Sequence, residues 1–278
     1  MASIKKISAR FTGLYFNLLA FVLPEKLKKD GFNLFCTPFS KGLKPHHQAF
    51  LMPAFGEILE VDGNKIQTYR WGTGSKKVLL VHGWASHSFR WKSYIKTLVE
   101  HDFTVLALDA PAHGNSTGKI MNLVIYERTL SAFLEKHPDL HTIIGHSIGG
   151  FATTYYLSRN PEATIQNAVI LAAPGKVEEF FAFYVQFLGL SNKAIRLIAE
   201  QFEKELHQKP SYFSAINFAQ HIKTKALIVH YRGDKSTNYL DSENLSQVWK
   251  GSTLKLTKGL GHELKSEELL QEIISFIQ

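Results

Sequence analysis

Apolar positions along the chain fall into short continuous runs separated by longer stretches of helical period. Val78-Leu79-Leu80-Val81, Thr104 to Leu108, His141-Thr142-Ile143-Ile144, Asn167 to Leu171 and Ala226 to Val229 are each four or five residues long and rich in branched side chains. Runs so short and so uniformly apolar read as strands buried on both faces. Between them, Phe89 to Glu100, Asn122 to Lys136 and Phe151 to about Arg159 carry helical spacing. Upstream, Glu57 to Val61 and Lys65 to Trp71 flank Asp62-Gly63-Asn64, a hairpin signal. Downstream, Ser242 to Lys250 reads as a helix, Thr253 to Leu256 as a strand and Glu263 to Ile277 as a final helix. The pattern predicts an α/β fold: a mostly parallel eight-stranded sheet with helices on both faces.

Two segments break this rhythm. Lys176 to Lys223 is helical and aromatic, and far longer than a strand-to-strand connection needs, so it reads as an inserted helical cap. Residues 7 to 23 place Ile7, Phe11, Leu14, Tyr15, Leu18 and Val22 at helical spacing, with Phe16, Ala20, Phe21 and Leu23 covering much of the other side. A helix apolar nearly all round suits burial between protein surfaces, and packing against the domain or its cap is the preferred reading. The alternative is a peripheral membrane contact through residues 1–30; a secretory signal ranks last, since no small-x-small cleavage site follows. Pro24 is expected to end this helix, and residues 31–56, with three prolines, read as a connector. The expected division is therefore 1–56 as an N-terminal helix and connector, 57–175 with 224–278 as the core, and 176–223 as the cap.

Composition narrows the class. At 278 residues, 45% hydrophobic and 20% charged, the chain suits one large α/β domain. The single Cys36 admits no intramolecular disulfide, which fits a reducing, cytoplasmic setting; no Cys/His group has zinc spacing, so no metal is expected, and the serine chemistry described below calls for no cofactor. The net charge of +8 is concentrated: residues 1–50 hold eight Lys or Arg against Glu25 and Asp30, which leaves little for the rest. A nucleic-acid groove would spread its basic residues, so no nucleic-acid partner is expected.

The candidate chemistry lies at strand ends. Between the strand His141 to Ile144 and the helix from Phe151 stand only Gly145-His146-Ser147-Ile148-Gly149-Gly150. So tight a turn strains the serine backbone and crowds the residues two before and two after it, which must be very small. It lifts the Ser147 hydroxyl clear of the sheet and aims the Ile148 N–H at whatever that hydroxyl attacks. After the strand Val78 to Val81 comes His82-Gly83-Trp84-Ala85, whose Trp84 N–H is the expected second oxyanion donor. After the strand Ala226 to Val229 comes Asp234, and after the last strand His262.

These matches, with the Asp109 to Ser116 stretch, appear in a fixed order from about residue 57 to 277. The chain resembles the α/β-hydrolase fold superfamily, in its serine esterase/lipase-like branch. The resemblance implies acyl transfer through Ser147 as nucleophile, His262 as base and Asp234 as the acid that orients it, with Trp84 and Ile148 amides as the oxyanion hole. The implied substrate is a carboxylic ester or thioester of an apolar small molecule; a hydrolase-like binding or signalling protein with slow turnover is the alternative. The family's usual glycine three residues before the acid is Tyr231 here, and Asp241 is the alternative acid. His82, Trp84 and His146 are candidate substrate contacts, with Phe180, Phe183 and Tyr184 from the cap. Against this, His82, Asp109, His113 and His146 also fit a role bonding loops, and the cap aromatics fit a core role.

Overall fold

The computed structural model describes residues 2–39, 42–54 and 56–278, with side chains from Ile7 onward. Lys5, Lys6 and Lys41, counted above among the N-terminal charges, have side chains outside the described residues. The chain forms two compact units, one of Met1–Thr37 with Lys176–Asn217, the other of Pro38–Gly175 with Phe218–Gln278.

The larger unit is built on one eight-stranded sheet in the order β1-β2-β4-β3-β5-β6-β7-β8. Strands β3 (Lys76–Val81), β4 (Phe103–Leu108), β5 (Leu140–His146), β6 (Asn167–Leu171), β7 (Lys225–Tyr231) and β8 (Ser252–Thr257) pair in parallel. Strands β1 (Ile58–Val61) and β2 (Asn64–Trp71) form an antiparallel hairpin, and β2 joins β4 antiparallel. The hairpin turn holds Asp62 and Gly63 at φ 50° and 75°, the left-handed pair that matches strand twist in a two-residue loop. Every residue of β4 and β6 is buried, as expected of strands covered on both faces. Helices α4 (Lys92–Glu100), α5 (Leu123–Glu135), α6 (Ile148–Arg159), α10 (Tyr239–Val248) and α11 (Glu267–Ile277) accompany the sheet, and the short α3 (Pro45–Leu51) adds Leu51 to its core.

Helix α11 starts later than its apolar period suggests. Ser266 caps it by accepting from the Leu269 N–H, and Leu269, Leu270, Ile273, Ile274 and Ile277 form its buried face. Residues 263–265 belong instead to the preceding loop, where Leu264 is wholly buried at φ 49°.

The smaller unit contains α1 (Ala2–Val22), α2 (Pro24–Cys36), α7 (Glu178–Tyr184), which continues as a π-helical turn to Gly189, and α8 (Asn192–Leu206). This departs from the expected division. The first helix does stop before Pro24, but no connector follows at once: Pro24 is the first residue of α2, where its missing N–H costs nothing. Residues 1–37 join the inserted segment because α2 packs on α8: a Cβ on Gly31 would meet Ile198, and Phe35 lies against Phe181, Tyr184 and Phe202. The Asn17 side chain donates to the Gly189 carbonyl and accepts from the Ser191 N–H. Residues 38–56 and 218–223 belong to the sheet unit; within α9 (Ala215–Ala219), Phe218 packs its ring against Phe151 and Tyr155 of α6.

Candidate active site

Six parallel strands deliver their carboxyl ends to one edge of the sheet, and Trp84, Asp109, Ser147, Ala172, Asp234 and His262 all follow such ends. At the turn from β5 into α6, Ser147 adopts φ 54° and ψ −125° and its N–H bonds to the Leu171 carbonyl at 2.8 Å. The flanking glycines have a steric cause. A Cβ on Gly145 would stand 2.7 Å from the Gly149 carbonyl oxygen, and one on Gly149 would stand 2.4 Å from that of Val81. A Cβ on Gly83 would come within 3.0 Å of the Ser147 Cβ, so the loop after β3 also must be bare there. Ile148 is the first residue of α6, and the first N–H groups of a helix have no partner within it.

The loop after β8 carries His262 and is tied down from two sides. His146 Nε2 donates to the His262 carbonyl at 2.9 Å, and the two imidazoles lie 4.9 Å apart between centroids. Arg90, stacked over Trp91, donates to the carbonyl and the carboxylate of Glu263. Two glycines with left-handed φ, Gly259 and Gly261, let the chain turn just before His262.

Asp234 follows β7 and its carboxylate is fully buried. Its Oδ2 accepts from His262 Nδ1 at 2.7 Å, and its Oδ1 from the Ser236 N–H at 2.7 Å. Burial alone would push this carboxyl up, but His230, His262 and the Ser236 N–H together hold it well below the ordinary carboxylate range. Asp241 is not so placed. It sits in the first turn of α10, with its carboxylate against Gly175. The displaced glycine is also explained: a Cβ on Gly233 would strike the Tyr231 ring, whose hydroxyl lies 2.5 Å from that position.

Two residues behind Asp234 were not expected. The wholly buried His230 brings Nε2 to 3.5 Å from Asp234 Oδ2, while its Nδ1 lies 2.6 Å from the Ser242 hydroxyl. Thr237 Oγ1 lies 3.1 Å from Asp234 Oδ2 and 3.1 Å from the Ala172 carbonyl. The signal was present for His230, a lone imidazole continuing the apolar run of β7; Thr237, in a polar loop, carries none.

The other candidates are redistributed. His82 is wholly buried, donates from Nδ1 to the Gly83 carbonyl and accepts at Nε2 from the Ala110 N–H. Neither ring nitrogen remains for a substrate, and burial, aided by His113, holds the imidazole neutral by lowering its pKa well below the usual value. His146 is likewise buried, and its bond to His262 makes it a tether between the turn and the loop. Asp109 accepts from Ser88, Tyr69 and Asn115, and His113 accepts from the Ala85 N–H, so both brace loops. Trp84 alone of this group is exposed, at 37%, with its ring edge-on to His113. Phe180, Phe183 and Tyr184 belong to the smaller unit; the Tyr184 hydroxyl donates to the Leu34 carbonyl, and Phe183 stacks on Phe187. Among the described residues no three His, Cys, Asp or Glu side chains form a group fit for a metal ion. A cavity of about 740 Å³ opens at the opposite end of the strands, lined by Lys76, His141, Asn167 and Lys225.

Residues 73–216, just over half of the chain, match the family described as serine aminopeptidase, S33. The chain belongs to this α/β-hydrolase family. The non-heme haloperoxidase of Rhodococcus erythropolis is similar, 30% identical over 116 residues that cover 40% of this chain and 42% of that protein. A bifunctional esterase/perhydrolase of Acinetobacter calcoaceticus is 30% identical over 124 residues, 42% of this chain and 44% of that protein. The similarity thus spans less than half the length of these curated relatives. The solved esterase of Exiguobacterium antarcticum shares the fold of this S33-family chain at a TM-score of 0.63 and 16% identity, over 80% of this chain and 99% of that one.

Proposed function

We propose that this chain hydrolyses a carboxylic ester or thioester of an apolar small molecule through Ser147, His262 and Asp234. The observation that carries the reading is the 2.7 Å bond from His262 Nδ1 to a carboxylate that is fully buried, on a loop tethered by His146 to the turn that bears Ser147. Asp234 fixes the imidazole tautomer so that Nε2 is the basic nitrogen. His262 takes the Ser147 proton as Oγ bonds to the acyl carbon, and the Trp84 and Ile148 amides hold the oxyanion, each worth about 3 kcal/mol in comparable sites. The carbon–oxygen or carbon–sulfur bond then breaks, His262 returns the proton to the leaving group, and water reverses the sequence to free the acid. His230 and Thr237 hold Asp234 from behind, and His230 helps to keep its carboxylate ionised. The name of the Acinetobacter relative, a bifunctional esterase/perhydrolase, supports the ester reading.

Fluorophosphonate labelling tests it. Wild type is expected to take up one label and Ser147→Ala none, after which p-nitrophenyl esters, acyl thioesters and aminoacyl anilides are ranked by kcat/KM. Labelling that persists in Ser147→Ala removes the assignment, and turnover confined to the anilides would make the chain a peptidase.

A further inference from the structure

Helix α1 divides into two unlike halves. Ala9, Phe16, Leu19 and Ala20 are buried, and a Cβ on Gly13 would strike the Leu188 carbonyl. The opposite side carries Ile7, Phe11, Leu14, Tyr15, Leu18, Phe21 and Val22, between 46% and 69% exposed. At 100° per residue these seven side chains fall within an arc of about 120°, with no charged residue among them. Together with Leu23 they make eight of the seventeen exposed large hydrophobic residues in the described chain, gathered in one helix and the residue after it. An apolar stripe of that size on a folded surface has a partner.

Charge identifies the partner. Helix α1 contains no Asp or Glu. Arg10 stands at one edge of the stripe, and the ammonium of Lys193 lies 4.1 Å from the centre of the Phe21 ring at its far end. Two copies of such a face would bring like charges together, and a neutral apolar pocket would leave them unpaired. We propose that this face of α1 lies in the headgroup region of an anionic lipid bilayer, parallel to its surface. Its apolar side chains enter the acyl boundary, and its flanking cations meet lipid phosphates. Among the described residues no helix is long and apolar enough to cross a membrane, so the contact is one of lying on the bilayer. The inference is independent of the ester-hydrolase reading, since it uses none of the residues around Ser147.

The test is co-sedimentation of the full chain with vesicles of phosphatidylcholine alone and of phosphatidylcholine with phosphatidylglycerol, at low and high salt. The wild type is expected to bind the anionic vesicles more tightly, and to lose most of that preference at high salt. Phe11→Ser/Leu18→Ser/Phe21→Ser, at positions already exposed, is expected to weaken binding to both vesicle types at least tenfold with an unchanged thermal midpoint. Arg10→Gln/Lys193→Gln is expected to weaken only the anionic binding, by about fivefold for each charge removed. Equal binding by wild type and the triple serine variant overturns the proposal. So does a wild type that ignores both vesicles, and sedimentation as a dimer that the serine variant turns into a monomer would then assign the face to a second copy of the chain.

Discussion

At the scale of single residues, the proposed acid is held from several sides. Asp234 is buried without being isolated: His262, Thr237 and the Ser236 N–H each reach one of its oxygens, and His230 backs it at 3.5 Å. A carboxylate so held fixes one tautomer of His262, and an amide in its place can donate where it must accept. Asp234→Asn is therefore expected to lower kcat by about 10⁴-fold with the fold intact, as read by ester turnover beside circular dichroism. Asp241→Asn, in the first turn of α10 and against Gly175, is expected to change kcat little. The reverse outcome would transfer the acid role to Asp241. Both positions were visible in the sequence as carboxylates following β7. What separated them was the direction of each side chain, set by a turn in which the Tyr231 ring fills the space over Gly233.

At the scale of elements, the turn between β5 and α6 depends on how closely α6 approaches β3. The Cβ of an alanine at position 149 would meet two backbone carbonyls, Val81 at 2.4 Å and His82 at 2.5 Å, and backbone cannot swing aside. Helix α6 must then move off β3, carrying the Ile148 N–H and Ser147 with it. Gly149→Ala is expected to cost about 1–3 kcal/mol in urea unfolding and to abolish fluorophosphonate labelling. Gly42→Ala, where an added Cβ meets nothing within 4 Å, is expected to do neither and serves as the control. This crowding was legible from the spacing of Gly145 and Gly149 about Ser147, because a strand-to-helix turn is a local constraint. The partner of Gly149 was not, since it lies on another strand.

At the scale of the whole molecule, the buried imidazoles govern acid stability. His82 and His146 are held neutral, chiefly by burial, with pKa values well below the usual one. In the unfolded chain each takes up a proton near pH 6.5, so below that pH the unfolded state binds more protons and stability falls as pH falls. Between pH 7.5 and 5.5 each is expected to remove at most about 1.4 kcal/mol, seen as a declining urea midpoint. Asp234 contributes nothing to that slope. Its depressed pKa stabilises the fold above about pH 4 and loses this only at lower pH. A His82→Gln/His146→Gln variant is expected to be less stable overall but to show a flatter dependence across this window. A midpoint that does not change between pH 7.5 and 5.5 would mean that these rings are protonated in the folded state.

The sequence by itself determined what neighbouring residues can enforce. Runs of four or five apolar residues were strands because nothing longer fitted, the glycines about Ser147 marked a turn, and Ser147, Asp234 and His262 stood at strand ends in a fixed order. Tertiary structure decided what depends on which surfaces meet. His82 and His146 were candidate substrate contacts, but Ala110 and Gly83 engage both nitrogens of His82 and the His262 carbonyl takes Nε2 of His146, while the place of His230 behind Asp234 follows from β7. Residues 1–56 read as a segment of their own, yet α2 packs on α8, from a part of the chain more than 150 residues away, and α1 keeps one apolar side uncovered. An apolar period states that a face needs a partner. Only the folded chain shows which faces have found one.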